Sequence, residues 1–270
     1  PPGPGPSTDL DRVPTLTELD PSDSDPFDPA DSDPLDSGRL TGDELVVAEI
    51  FGPTFQGEGP SIGERAGFVR LGRCNLTCAW CDTPYTWDWD RFDPVVELRS
   101  VPVPAILEQV EAMKVGRLVV TGGEPLLQQR RLAGLLSECR RRGLVVEIET
   151  NGTVTPTSEL LKSVDRLNVS PKLANSGVPI DRRIAPEALA ALRACGKAIF
   201  KFVVERPGDL DEVQALVDRF DLAPVWIMPE ATTAATLARG LRDLAGPVLE
   251  RGWNLTGRLH VEVWDGDRGR

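Results

Sequence analysis

The chain has 270 residues, enough for one large domain with a well-buried core, and a formal net charge of −12. That acidic balance, with no basic stripe interleaved with aromatic residues, argues against a nucleic-acid binder. No apolar run approaches the roughly 20 residues needed to span a bilayer, and no basic-then-apolar signal segment opens the chain, so a cytoplasmic setting without membrane or nucleic-acid partners is expected.

Residues 1–44 hold twelve Asp or Glu against two Arg, so about −10 of the charge sits there and about −2 on the remainder. Pro, Asp and Ser dominate this stretch and its few apolar residues follow no period. Such a segment cannot bury enough apolar surface to offset its ordering entropy, and a disordered tail is expected over 1–44. A single catalytic domain is expected over 45–270.

From Leu45 onward, β-branched runs alternate with amphipathic stretches. Strands are expected at 45–52, 66–72, 117–123, 144–152, 166–171, 198–204 and 224–230. Helical periodicity occupies 103–114, 126–142, 157–164, 186–195, 208–219 and 232–250. The alternation predicts right-handed βαβ units and an α/β fold built on a parallel sheet. Several strands end in polar or Gly-rich turns: TGGEP (121–125), ETNGT (149–153), SPK (170–172) and MPE (228–230). Ligands of parallel α/β architectures bind at the C-terminal ends of strands, so these endings are expected to share one mouth.

Between the second strand and the first helix stands CNLTCAWCDT (74–83), with Cys74, Cys78 and Cys81 in Cys-x3-Cys-x2-Cys spacing. An odd total of five cysteines with one tight cluster points to metal or redox chemistry and not to a disulfide framework. A structural zinc site closes its shell with four ligands. The remaining candidates, Cys139, Cys195 and the lone His260, are distant and match no zinc pairing. A [4Fe–4S] cluster held by three cysteines fits best, with its fourth iron left open to an exogenous ligand. A zinc-stabilised binding module is the non-enzymatic alternative.

The three-cysteine spacing, with Trp80 just before the last cysteine, resembles the radical S-adenosylmethionine (SAM) superfamily, and TGGEP resembles its GGEP motif. FGPTFQGEGPSIG (51–63) before the cysteines, CDTPYTWD (81–88) across them, and the SPK and MPE endings narrow this to a resemblance to the 7-carboxy-7-deazaguanine synthases over about 45–270. The resemblance implies an incomplete (β/α)6 TIM-like barrel that pairs as a homodimer. It implies conversion of 6-carboxy-5,6,7,8-tetrahydropterin to 7-carboxy-7-deazaguanine with loss of ammonia, in queuosine-type 7-deazapurine biosynthesis. A [4Fe–4S] cluster, SAM and Mg2+ would serve as cofactors, and a flavodoxin or ferredoxin as electron donor. The oxidant would derive from the cofactor, so no side chain is expected to act as a general base.

Carried over position by position, Cys74, Cys78 and Cys81 would hold the cluster and Thr83 the Mg2+. Gly122 and Gly123 would let the backbone approach the methionine ammonium, with Glu124 supplying a carboxylate. Glu149, Thr150 and Asn151, then Ser170 and Lys172, and finally Met228 would complete the SAM site. Gln56, Gly57, Glu58 and Gly59 would read the pterin edge, and Arg70 would take the substrate carboxylate. Two features depart from the pattern. Arg73 stands just before the first cysteine where a small residue is usual; the 258–270 end resembles the family's closing strand and tail, which approaches the substrate site, with no residue of it assigned and His260 expected to pack or hydrogen-bond locally. A glycyl-radical activating enzyme is the alternative within the same chemistry.

Overall fold

The computed structural model describes residues 43–269, so the acidic tail lies outside the described residues except at its junction, where Glu44 already opens the first strand. In chain order the elements are β1 (Glu44–Phe55), β2 (Arg65–Leu71), α1 (Pro94–Glu97), β3 (Arg99–Pro102), α2 (Val103–Ala112), β4 (Arg117–Gly122), α3 (Gln129–Arg141) and β5 (Val145–Thr150). There follow α4 (Ser158–Ser163), β6 (Arg166–Val169), α5 (Ile180–Arg183), α6 (Pro186–Ala194), β7 (Ala198–Val204), α7 (Leu210–Phe220), β8 (Val225–Pro229), α8 (Ala234–Glu250), β9 (Asn254–Leu255) and α9 (Leu259–Trp264).

One sheet runs in the order β3-β1-β2-β4-β5-β6-β7-β8-β9. β1 pairs antiparallel with β2 and β3, and every later pairing is parallel. The strands β2, β4, β5, β6, β7 and β8 make the six-stranded barrel wall, and β3 and β9 lie at its two unpaired ends, so the barrel is incomplete.

Strand alternation sorts the two faces. Val146 and Ile148 of β5, Leu167 and Val169 of β6, and Phe200, Phe202 and Val204 of β7 join the core beneath the helices. There they meet Leu132, Leu135 and Leu136 of α3, Leu189 and Leu192 of α6, and Val213 and Leu216 of α7. Each fully buried Leu or Phe contributes about 1.5–3 kcal/mol. The intervening residues Glu147, Glu149, Asn168 and Lys201 are the buried or half-buried polar set of the opposite face. Glu147 is fully buried and accepts from Ser61 Oγ (2.5 Å), Arg166 (3.0 Å), Asn168 Nδ2 (3.2 Å) and Arg117. This ionic knot joins β4, β5 and β6 to the loop after β1.

The 258–270 end is not a closing strand. β9 takes that place by pairing with β8, and the chain then turns into α9. Val261 packs against Ala231 and Leu237, and Trp264 stacks on Phe55 with centroids 6.1 Å apart, which holds a helix there.

Candidate functional site

The cysteine loop leaves β2 at Leu71 and is closed on itself by backbone bonds. Arg73 adopts a left-handed φ of 74°, a conformation that costs a non-glycine residue about 1–2 kcal/mol. Its N–H donates to the Thr86 carbonyl (2.7 Å), while Thr86 N–H and Oγ1 both bond the Thr83 carbonyl (3.0 and 2.8 Å). Inside this ring Cys74 Sγ accepts from Leu76 N–H (3.4 Å). Cys81 Sγ accepts from the Trp87 indole N–H (3.3 Å) and lies 3.7 Å from Thr83 Oγ1. Leu76 and Val178 pack around the three cysteines. Burial pushes the Cys74 thiol up to about 12, so a nearby iron would be needed to keep it ionised at neutral pH.

The TGGEP turn packs directly on this loop. A Cβ on Gly123 would stand 2.0 Å from the Arg73 carbonyl oxygen, and one on Gly122 2.3 Å from that of Leu71. Both glycines are therefore required by the approach of two backbone segments, whatever else they admit. Glu124 differs from expectation: it is fully buried and does not line the cavity. Its carboxylate accepts from Leu126 N–H (2.9 Å), Thr150 Oγ1 (2.8 Å) and Asn151 N–H (2.7 Å), so it ties the TGGEP turn to the end of β5. Burial pushes its pKa up, and these three bonds oppose that rise. Asn151 passes the brace onward, its Nδ2 donating to Asn75 Oδ1 (2.9 Å) within the cysteine loop. On the next strand ending, Lys172 Nζ bonds Ser170 Oγ (3.0 Å) and lies 5.5 Å from the centre of the Trp80 ring.

Elsewhere on the cavity lining, Gln56 Nε2 donates to Glu149 (3.2 Å), and Thr121 Oγ1 bonds the other oxygen of that carboxylate (2.9 Å). Glu58 is paired with Lys201 and with Arg258 (3.2 Å), and Arg258 in turn bonds Asp82, next to the last cysteine. Burial opposes the Glu58 charge, but Lys201, Arg258 and His260 outweigh it and hold the carboxyl well below the usual range. His260 lies 3.8 Å from Glu58 and lines the cavity; burial lowers its pKa. Gly57 makes room for it, because a Cβ there would stand 2.1 Å from His260 Nδ1. Arg70 Nε donates to Glu49 (2.9 Å), which also accepts from Tyr85 (2.8 Å) and Arg268 (2.6 Å). Gly59 does not line the cavity; it turns the chain at φ 68° and donates its N–H to Thr256 (2.9 Å).

One cavity of about 500 Å3 joins these groups. Except for Glu124 and Gly59, every residue expected at the site lines it, including Thr83, Thr150 and Met228. The thiol set, the backbone-close glycine turn and the adjoining polar space fit a three-cysteine cluster with an amino-acid-bearing ligand beside it. Arg258 and the 265–269 turn, from the end expected near the substrate site, also line the cavity, as does Lys201, which the sequence reading did not single out. Lys201 carried a usable signal, a lone charge within the apolar strand AIFKFVV.

The profile of the Radical SAM superfamily matches residues 69–219. The chain is 40% identical over 228 residues to the 7-carboxy-7-deazaguanine synthase of Pyrobaculum aerophilum, covering 83% of this chain and 96% of that one. It is 36% identical over 226 residues to the enzyme of the same name from Hyperthermus butylicus, with 81% and 92% covered. Among solved structures it resembles QueE from Escherichia coli at a TM-score of 0.60 and 23% identity, over 79% of this chain and 93% of that one. That last likeness is one of fold.

Proposed function

Because the chain belongs to the 7-carboxy-7-deazaguanine synthases of the radical SAM superfamily, we propose that its cavity turns carboxytetrahydropterin into 7-carboxy-7-deazaguanine with release of ammonia. One observation carries the reading: the three cysteines and the Gln56, Glu58 and Arg70 set line a single space of about 500 Å3, a volume suited to small molecules. With these relatives in hand, the glycyl-radical activating enzyme and the zinc module are set aside.

In this reading Cys74, Cys78 and Cys81 hold a [4Fe–4S] cluster beside SAM, which together supply one-electron chemistry for hydrogen abstraction. The protein's own task is to orient and enclose. Gly122 and Gly123 admit the methionine end close to the backbone, with Ser170 and Lys172 facing its carboxylate. Glu149, Thr150, Asn151 and Met228 surround the nucleoside. Glu124 acts one step back, by holding the turn.

Gln56 and Glu58 present an amide and a carboxylate to the alternating donors and acceptors of the pterin edge. Arg70, fixed through Nε by Glu49, offers the rest of its guanidinium to the substrate carboxylate. Thr83 serves Mg2+: against a thiolate its hydroxyl can only donate, which leaves its lone pairs for a hard cation. The reaction also calls for a flavodoxin- or ferredoxin-type electron donor, and the homodimer stands as part of the same reading. No helix among the described residues is long and apolar enough to cross a membrane, and the free cysteines suit a reducing cytoplasm.

The test is anaerobic incubation of reconstituted, reduced protein with SAM, Mg2+ and carboxytetrahydropterin, followed by mass spectrometry. The deazapurine should form with wild-type protein and not with Cys78→Ala. Only uncoupled 5′-deoxyadenosine would reject the substrate while keeping the superfamily chemistry.

A further inference from the structure

The loop between β2 and α1 does more than carry three thiols. After Cys81 the chain makes a tight 3-10 turn over Pro84–Thr86 that reverses it toward its own start. Thr86 is fully buried, and its carbonyl accepts from Arg73 N–H at 2.7 Å, immediately before the first cysteine. Trp87 N–H closes the turn on the Pro84 carbonyl (3.0 Å). The half-buried Trp87 side chain therefore returns to the cysteines on a rigid base, and its indole N–H points at Cys81 Sγ, 3.3 Å away. An indole can only donate, so the direction of this bond is fixed. Thr83 Oγ1 stands 3.7 Å from the same sulfur. Trp80, by contrast, directs its indole N–H away from the thiols, to Asn175 Oδ1 at 3.3 Å.

We propose that Trp87 is a positioning residue that sets the reduction potential of the iron–sulfur cluster by donating its indole N–H to the Cys81 sulfur. The inference rests on the cluster reading of Cys74, Cys78 and Cys81. Adding an electron to a thiolate-bound cluster concentrates negative charge on its sulfurs. A donor aimed at one of them stabilises the reduced form more than the oxidised form, which raises the potential. The setting strengthens the effect, because the apolar Leu76 and Val178 packed against the cysteines lower the local dielectric. The functional consequence is easier loading of the electron that a protein donor must supply.

The variant is Trp87→Phe, which keeps an aromatic ring and removes the donor. Reconstituted full-length protein is titrated against redox mediators without SAM, and the reduced cluster is counted by electron paramagnetic resonance. The expected result is unchanged iron and sulfide content with a more negative midpoint. The ratio of reduced to oxidised cluster at a fixed potential should fall about three- to tenfold, tenfold being about 59 mV for one electron. An unchanged midpoint with a full cluster overturns the proposal and leaves the cluster reading intact. Should Trp87→Phe fail to hold its cluster, the wild-type protein decides. With the indole nitrogens isotope-labelled, the reduced cluster should show a resolved coupling to one of them, and its absence overturns the proposal. Wild-type protein that binds no cluster at all overturns the underlying reading.

Discussion

Replacing Gly123 by alanine tests how the site is assembled, since the new methyl group would meet backbone and not a flexible side chain. The added Cβ would sit 2.0 Å from the Arg73 carbonyl oxygen and 2.9 Å from Cys74 Cβ, whereas real Cβ contacts are essentially never shorter than 3.0 Å. The cysteine loop or the turn must therefore shift by about 1 Å. The two bonds that join them, Glu124 N–H to Arg73 (2.8 Å) and Gly123 N–H to Leu71 (3.1 Å), are strained or lost. Overpacking costs about 1–3 kcal/mol and each bond roughly 1 kcal/mol, so a destabilisation of about 3–5 kcal/mol is expected. That is within the 5–15 kcal/mol typical of a domain, so the chain should still fold but with the cysteine loop displaced. The assay pairs urea unfolding of the cluster-free protein with iron content after reconstitution. Gly116→Ala serves as control, because a Cβ there meets nothing within 4 Å. If Gly123→Ala matches Gly116→Ala in both midpoint and iron content, the close packing of the two motifs is refuted.

The remaining predictions concern other residues that line the cavity. Lys201→Met leaves Glu58 with Arg258 as its remaining ion-pair cation and should cost about 3–5 kcal/mol of unfolding free energy, measured by denaturant titration; a loss under 1 kcal/mol would contradict the pairing. Because the folded-state pKa of Glu58 lies below its unfolded value, its contribution is present above about pH 4.3 and declines as pH falls further. Glu58→Gln should therefore flatten the stability profile on the acid side of that value, and an unaltered acid slope would count against the network. Thr83→Ala should retain iron and sulfide while requiring more Mg2+ for half-maximal turnover; an unchanged Mg2+ requirement would remove Thr83 from the metal site.

Much of the framework was legible because local patterns dominate it. Charged residues inside apolar strands, as in VEIET and AIFKFVV, mark the face that turns from the helices toward the site, and the turns after strands end at one mouth. The cysteine spacing and TGGEP depend on chemistry that tolerates few other residues. What escaped depends on long-range packing. Nothing near Glu124 in sequence says that its carboxylate serves Thr150 and Asn151, because those donors lie 26 and 27 positions away. The 258–270 end was expected as a strand from its resemblance to the family's closing segment; only the packing of Val261 and Trp264 decides for a helix. The neighbour of His260 was hidden for the same reason, since Glu58, 3.8 Å away, lies about 200 residues upstream. Gly123 was read as access for a ligand, and the Arg73 carbonyl adds a packing reason for the glycine that the local sequence does not show.

In the proposed function the cluster and the substrate share one cavity. The most direct measurement is the paramagnetic resonance spectrum of the reduced, SAM-loaded protein, with Mg2+ present, as carboxytetrahydropterin is titrated in. The account predicts a saturable change in the cluster signal for wild-type protein, shifted to much higher substrate concentration in Arg70→Ala. A cluster signal indifferent to saturating substrate, or equal responses from the two proteins, would contradict it.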